Sequence, residues 1–168
     1  MKKYTYIIFI SLLIIALQQA LISQINFFGA AVDIVFVFII SFALLRNEIE
    51  SVFFALFCGV IRDCFFPFLF GINSIVYVVS AYILSQVQKR IFKDSLIIPA
   101  FFTFIFTILK IVFYFSYFYI ASIKFEFRHH VFQLLILEPL YNSIVSLFLY
   151  GFTKNICLKD IMSDEWKF

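Results

Sequence analysis

The feature that most constrains this chain is a series of long apolar stretches separated by short polar segments. A helix needs about 20 mostly apolar residues to cross a hydrocarbon core roughly 30 Å thick. Stretches of about that length lie at residues 4–23, 27–45, 49–66, 71–87, 96–122 and 131–152. Strands of a transmembrane barrel would alternate apolar and polar positions over about ten residues, whereas residues 4–17 and 101–115 are apolar on nearly every side. The sequence therefore predicts an all-α integral membrane protein of about six transmembrane helices.

The composition excludes a water-soluble fold. Hydrophobic residues make up 64% of the chain and charged residues only 14%, where an ordinary soluble domain has roughly a quarter charged residues. A soluble domain of this size buries only about two thirds of its chain's surface, so the remaining apolar surface must face lipid. We predict a six-helix transmembrane domain at residues 1–153 and a short cytoplasmic tail at 154–168.

The distribution of lysine and arginine predicts the orientation. With a cytoplasmic amino terminus, the inner segments hold Lys2, Lys3, Arg46, Lys89, Arg90, Lys93, Lys154, Lys159 and Lys167. The outer segments hold Arg62, Lys124 and Arg128, and Lys110 lies within the fifth stretch. Because basic residues favour the cytoplasmic side, both termini are predicted to be cytoplasmic. The net charge of +3 then reflects topology, and no nucleic-acid partner is expected.

Motifs of catalysis and cofactor binding do not stand out. The four glycines, at 29, 59, 71 and 151, form neither a phosphate-binding loop nor a dinucleotide fingerprint. Cys58 and Cys64 are six positions apart on a predicted helix and therefore point to different faces. We predict no enzyme activity, no catalytic residue, no cofactor and no metal.

Polar residues at membrane depth form the first candidate site. An ionisable side chain there costs at least about 2.5 kcal/mol unless it is paired or hydrated. Counted from the outer helix ends, Lys110 lies on the order of 18 Å deep and Glu138 about 11 Å deep. An ion pair between them and a snorkelling Lys110 with a hydrated Glu138 are equally compatible with this spacing. Pro139 removes a backbone donor, so we expect a kinked, polar patch with Asn142 that serves helix packing.

A second candidate site lies where the third helix ends and the fourth begins. Its residues are Asp63, Pro67, Gly71, Asn73 and Tyr77. Pro67 interrupts a helix, Gly71 permits a turn, and Asn73 is suited to cap the next helix with its side-chain oxygen. We expect Asp63 and Asn73 to meet across this hairpin, which is either a partner-binding surface or a structural turn.

At these residues the chain resembles the rod shape-determining protein MreD family of bacteria. The likeness is carried by Gly59–Asp63 (GVIRD), Phe70–Tyr77 (FGINSIVY), Tyr82, and the polar break at Pro139 and Asn142. Two departures are the absence of a proline before Asp33 and the scarcity of glycine in the second and third helices.

The resemblance implies a non-enzymatic scaffold or regulator of the cell-elongation machinery, which directs peptidoglycan synthesis at the inner membrane. Its implied partners are an MreC-like bitopic membrane protein, a RodA-type glycosyltransferase with its transpeptidase, and membrane lipid. The implied fold is that of the substrate-binding component of energy-coupling-factor transporters.

That fold likeness supplies a rival interpretation, a small-molecule-binding component of such a transporter, because fold alone does not decide function. A closed pocket would need polar and aromatic residues on long outer loops. The outer connections at 24–26 and 67–70 are short, which favours the scaffold.

The predicted topology is testable by cysteine labelling in a cysteine-free variant. With both termini inside, an impermeant reagent added to intact cells should label Glu126→Cys and should label Lys159→Cys only after lysis. Labelling of position 159 but not 126 in intact cells would reverse the topology.

Overall fold

The described residues of this computed structural model are 2–20, 30–65, 70–89, 97–121 and 133–157. They form six α-helices: α1 (Lys2–Ala20), α2 (Ile34–Ala43), α3 (Glu48–Phe65), α4 (Ile72–Gln88), α5 (Ile97–Ile120) and α6 (Glu138–Cys157). A π-helical turn, Gln133–Leu137, leads directly into α6. The predicted all-α class is confirmed, and the helices lie at the six predicted stretches.

Two helical segments, Ile97–Ile120 and Leu134–Cys157, are long and apolar enough to cross a membrane. Shorter apolar helices occupy Ile7–Ala20, Ile34–Ala43 and Ile72–Gln88. The last helix continues to Cys157, four residues beyond residue 153, the predicted end of the transmembrane domain. The last turn of α6 stays helical because it packs against the bundle: Ile156 and Cys157 belong to the buried core.

The centre of the fold is α2, which has contacts with each of the other five helices. Nine of its ten residues, from Val35 to Ala43, are buried. The rings of Phe42 and Phe54 lie 4.6 Å apart between α2 and α3. A helix that is apolar all round is stable only when it is enclosed, and the neighbouring helices provide that enclosure.

The expectation of a helix from residue 27 is wrong for residues 30–33, which precede α2 without being helical. Asp33 ends the non-helical segment by capping α2, since its carboxylate accepts a hydrogen bond from the Phe36 N–H. Gln18 of α1 satisfies the adjacent backbone: its Nε2 donates to the Val32 carbonyl and its Oε1 accepts from the Ile34 N–H, both at 2.9 Å. Non-helical backbone at membrane depth requires such protein partners.

The α3–α4 hairpin is packed closely at Gly59. A Cβ atom at this position would lie 2.5 Å from Cα of Ser74, a distance that no packed side chain tolerates. The absence of a side chain therefore sets the spacing of the two helix backbones, as small residues do at membrane helix interfaces.

We expect Gly59→Ala to lower the free energy of unfolding by about 1–3 kcal/mol, the usual cost of overpacking. Gly151→Ala on α6 is the matched control, because an added Cβ there meets nothing within 4 Å. Thermal unfolding of both variants in detergent measures the difference. Equal stability of the two variants would show that the α3–α4 spacing is not set by Gly59.

Candidate functional site

Lys110 of α5 joins two carboxylates in the interior. Its Nζ lies 2.8 Å from Asp33 Oδ2 and 2.7 Å from Glu138 Oε1. The same nitrogen lies 5.2 Å from the centre of the Phe36 ring, within range of a cation–π attraction. Lys110 is only 4% exposed, so it pairs with Glu138 inside the bundle and does not snorkel.

Arg62 of α3 binds the other oxygen of the same aspartate. Its Nη1 donates to Asp33 Oδ1 at 2.7 Å, and that oxygen also accepts from the Phe36 N–H at 3.1 Å. One carboxylate thus receives two cations and a helix N-terminus. We call Asp33, Arg62, Lys110 and Glu138 the charged cluster.

The formal charges of the charged cluster sum to zero, with two carboxylates and two cations. Burying a lone charge is prohibitive, and burying a pair is tolerated only when geometry is good and remaining polar atoms are satisfied. The distances of 2.7–2.8 Å between its charged atoms meet that requirement. The cluster therefore acts chemically as a neutral tie between α2, α3, α5 and α6.

Asn142 extends this tie between α6 and the start of α2. Its Oδ1 accepts from the Asp33 N–H at 2.9 Å, and its Nδ2 donates to Thr107 Oγ1 at 3.3 Å. Asn142 is fully buried. The polar patch in α6 was expected to serve helix packing. Its Asn142 side chain does so by accepting a hydrogen bond from the non-helical backbone before α2.

Pro139 is the second residue of α6 and lies two positions after the end of the π-helical turn. Proline offers no N–H to the preceding turn, and single π-helical turns are local irregularities inside α-helices. Ser143 Oγ donates to the Pro139 carbonyl at 2.7 Å. The irregularity predicted in the last helix is a change from π-helical to α-helical pitch. The change occurs at Glu138, the first residue of α6.

Asp63 closes the hairpin by capping α4 from the neighbouring helix. Its two oxygens accept from the backbone N–H groups of Asn73 and Ser74, each at 3.1 Å, and from the side chains of the same two residues at 2.8 and 2.5 Å. Free N–H groups at a helix start attract a carboxylate in this way. We call the end of α3, Phe70, Gly71 and the start of α4 the capped hairpin.

The expectation that Asn73 caps α4 with its own oxygen is wrong. Gly71 is the N-cap residue, with φ of 92° and no side-chain cap bond, which matches the turn role predicted for it. The Asn73 side chain instead donates to Asp63 and accepts from the Tyr114 hydroxyl of α5 at 2.5 Å. The carboxylate of Asp63 is the stronger acceptor and has already taken the cap position.

The other predicted hairpin residues differ in their surroundings. Tyr77 is fully buried and stacks on Phe36, with ring centres 5.4 Å apart, and its hydroxyl has no hydrogen-bond partner among the described residues. Pro67 lies outside the described residues. Asp63 and Asn73 are also buried, so these side chains shape the hairpin from within and do not form its surface.

Sequence reasoning missed the central member of the charged cluster. Asp33 is an ionisable residue inside a predicted span, which is the criterion that selected Lys110 and Glu138. Arg62 was counted among the basic residues of the outer segments and therefore was not considered as a partner of Asp33. Within the described residues, no group of three His, Cys, Asp or Glu side chains is arranged to hold a metal ion.

The described residues form a helical bundle that holds a buried, neutral charged cluster and two helices long and apolar enough to cross a membrane. The chain belongs to the family of the rod shape-determining protein MreD, whose family model matches residues 1–156, and its role is accordingly in the determination of rod shape. Searches of curated proteins and of solved structures find no match. The expected likeness to energy-coupling-factor components therefore has no support.

Breaking the charged cluster should show strong non-additivity. Lys110→Met leaves Glu138 without its cation, and we expect a loss of about 3–5 kcal/mol, as for other broken buried pairs. The double variant Lys110→Met/Glu138→Gln keeps the neutral Asp33–Arg62 pair and should be more stable than Lys110→Met alone. Unfolding in detergent provides the measurement.

Lys89→Met is the matched control, because Lys89 is 61% exposed and 3.8 Å from Glu48, and exposed pairs contribute little. If the effects of Lys110→Met and Glu138→Gln simply add in the double variant, the two groups are not coupled and the ion pair is absent.

Proposed function

We propose that this protein is a non-enzymatic scaffold of the bacterial cell-elongation machinery. It spans the cytoplasmic membrane six times with both termini in the cytoplasm, and it binds an MreC-like bitopic partner. Through that partner it serves a RodA-type glycosyltransferase and its transpeptidase. The family membership and the construction of the capped hairpin support this proposal.

The observation that carries the proposal is the rigidity of the capped hairpin. Four hydrogen bonds accepted by one buried carboxylate hold the start of α4 against the end of α3, and Gly59 lets the two backbones come together. In the proposed topology this hairpin faces the extracytoplasmic side, where the soluble domain of a bitopic partner is located. A preorganised surface loses little entropy on binding.

The exposed part of the capped hairpin offers an apolar anchor. Phe70, next to Gly71, is 67% exposed, whereas the Asp63 that caps the following helix is only 1% exposed. Large aromatic side chains dominate binding energy at protein interfaces. Phe70 is thus the side chain that would touch the partner, and Asp63 would hold the turn that presents it.

The charged cluster supports a scaffold over an enzyme or a transporter component. Each of its four side chains is engaged by an opposite charge, so none is presented to a substrate. A transport or catalytic site would instead need polar groups aimed into an accessible cavity. Here the polar groups are directed at one another between the helices.

Partner recovery should depend on the turn and on its exposed aromatic residue. We expect Asp63→Ala and Phe70→Ala each to reduce the amount of MreC-like protein that co-purifies by about tenfold, a typical effect for an anchor residue, and to alter cell shape. Phe148→Ala on α6 is the control, since Phe148 is 77% exposed on another helix.

The amount of each variant in the membrane is measured alongside. Full partner recovery and normal shape with Phe70→Ala would make the hairpin a structural turn only. Co-purification of a pair of ATPases with a coupling subunit, in place of cell-wall synthases, would favour the transporter interpretation.

A further inference from the structure

The exposed side chains of the capped hairpin, within the described residues, are apolar. Phe65, Phe70 and Ile75 are each more than half exposed, and they lie at the end of α3, in the turn and at the start of α4. In the sequence, residues 64–88 contain no Asp, Glu, Lys or Arg, and four of the seven residues at 64–70 are phenylalanine. Turns that face water are usually polar, so this composition indicates an apolar environment.

The polar groups of the capped hairpin face inward. Asp63, Asn73 and Ser74 are at most 9% exposed, and Asp63 accepts hydrogen bonds from the backbone N–H groups of the other two. At a helix start in water, solvent can bind such N–H groups, but in lipid they must be satisfied within the protein. A cap supplied by a neighbouring helix therefore suits a helix that begins inside the membrane.

Helix α5 shows how far the capped hairpin lies from the end of the bundle. The Tyr114 hydroxyl of α5 donates to Asn73 Oδ1 at the start of α4 at 2.5 Å, so these two residues lie at about the same level. Helix α5 continues beyond Tyr114 for six residues, to Ile120, which adds about 9 Å at 1.5 Å per residue. Tyr119 and Ile120 are 86% and 80% exposed. The start of α4 is thus recessed behind the end of its neighbour.

The lengths of the helices agree with this recess. Helix α5 has 24 residues and is about 36 Å long, more than the roughly 30 Å of a hydrocarbon core. Helices α3 and α4 have 18 and 17 residues and are only about 27 and 26 Å long. At the other end of this helix pair, Glu48 and Lys89 are 38% and 61% exposed. With those charges at one membrane surface, the capped hairpin does not reach the opposite surface.

We propose that the tip of the capped hairpin lies beneath the extracytoplasmic membrane surface, where Phe65 and Phe70 contact lipid acyl chains. This inference rests on the topology of the proposed function and narrows the contact that function requires. A partner that binds Phe70 then has to enter the membrane surface with the apolar residues that adjoin its transmembrane helix. The site fits such a segment and does not fit a polar surface that stays in water.

Tryptophan fluorescence measures this depth on the protein alone in phosphatidylcholine vesicles. Trp166, the only tryptophan of the chain, is replaced by phenylalanine, and the probe is Phe70→Trp, with Tyr119→Trp at the end of α5 as the control. Iodide is present on both sides of the membrane, so the orientation of the protein in the vesicle does not matter.

We expect iodide to quench Phe70→Trp at least about threefold less than Tyr119→Trp, because an anion does not enter hydrocarbon. Lipids brominated on their acyl chains should quench Phe70→Trp more than Tyr119→Trp. Equal quenching of the two probes by iodide would place the tip of the hairpin at the membrane surface and overturn the proposal.

A charge substitution provides a second measurement. Aspartate is too short to carry its carboxylate from the recessed position to the surface, and a charge in hydrocarbon is costly. We expect Phe70→Asp to accumulate in the membrane at least about threefold less than the unchanged protein, whereas Tyr119→Asp should accumulate normally. Normal accumulation of both variants would contradict immersion of the hairpin.

The quenching measurement involves no partner and therefore separates the two proposals. If iodide reaches Phe70→Trp freely while an MreC-like protein still co-purifies, the immersion is wrong and the proposed function stands. If the depth is as expected but no such protein co-purifies, the proposed function fails and the immersion of the hairpin stands.

Discussion

The carboxylate of Asp33 is the group on which the arrangement of the helices depends. It binds Arg62 of α3 and Lys110 of α5, and the backbone N–H of the same residue binds Asn142 of α6. In lipid, apolar side chains gain little by leaving the solvent, which is itself apolar, so apolar contacts alone select a helix neighbour weakly. Buried charges select strongly, because each must meet its opposite. The charged cluster therefore fixes the relative positions of α2, α3, α5 and α6.

The charged cluster and the capped hairpin form one polar unit through neighbouring positions on two helices. On α3, Arg62 binds Asp33 and the adjacent Asp63 binds the start of α4. On α5, Lys110 and Tyr114 are one turn apart, and Tyr114 reaches Asn73 of α4. A displacement of α4 relative to α3 would break bonds to Asp63 and Tyr114, which lie beside the residues of α3 and α5 that hold the charged cluster. The turn between α3 and α4 is thus linked to the centre of the bundle.

The sequence was sufficient for the helical class and for the approximate position of each helix, because long apolar runs and their polar breaks are local properties. It also identified Lys110, Glu138 and Asn142, since polar residues in apolar helices are conspicuous. The sequence did not predict the start of α2 correctly, because residues 30–33 lie in an apolar stretch that predicts a helix. That boundary is set by Gln18 and Asn142, which are distant in the sequence and become partners only in the fold.

The same limit applied to the hairpin. Asp63 and Asn73 were correctly expected to meet, but which of them caps α4 depends on competition between a carboxylate and an amide for the same N–H groups. A local rule for helix capping favours the residue nearest the helix start. The ionised group from another helix prevails because it accepts charge-assisted bonds with both of its oxygens.

The order of the charged residues along the chain has a consequence for biosynthesis. Asp33 and Arg62 belong to the first half of the chain, whereas Lys110 and Glu138 arrive with the last two helices. Since chains are made from the amino terminus, the early helices are made with the neutral Asp33–Arg62 pair. Lys110 then adds a positive charge to it. That charge is compensated only when α6 supplies Glu138, so the centre of the bundle regains neutrality with its last described helix.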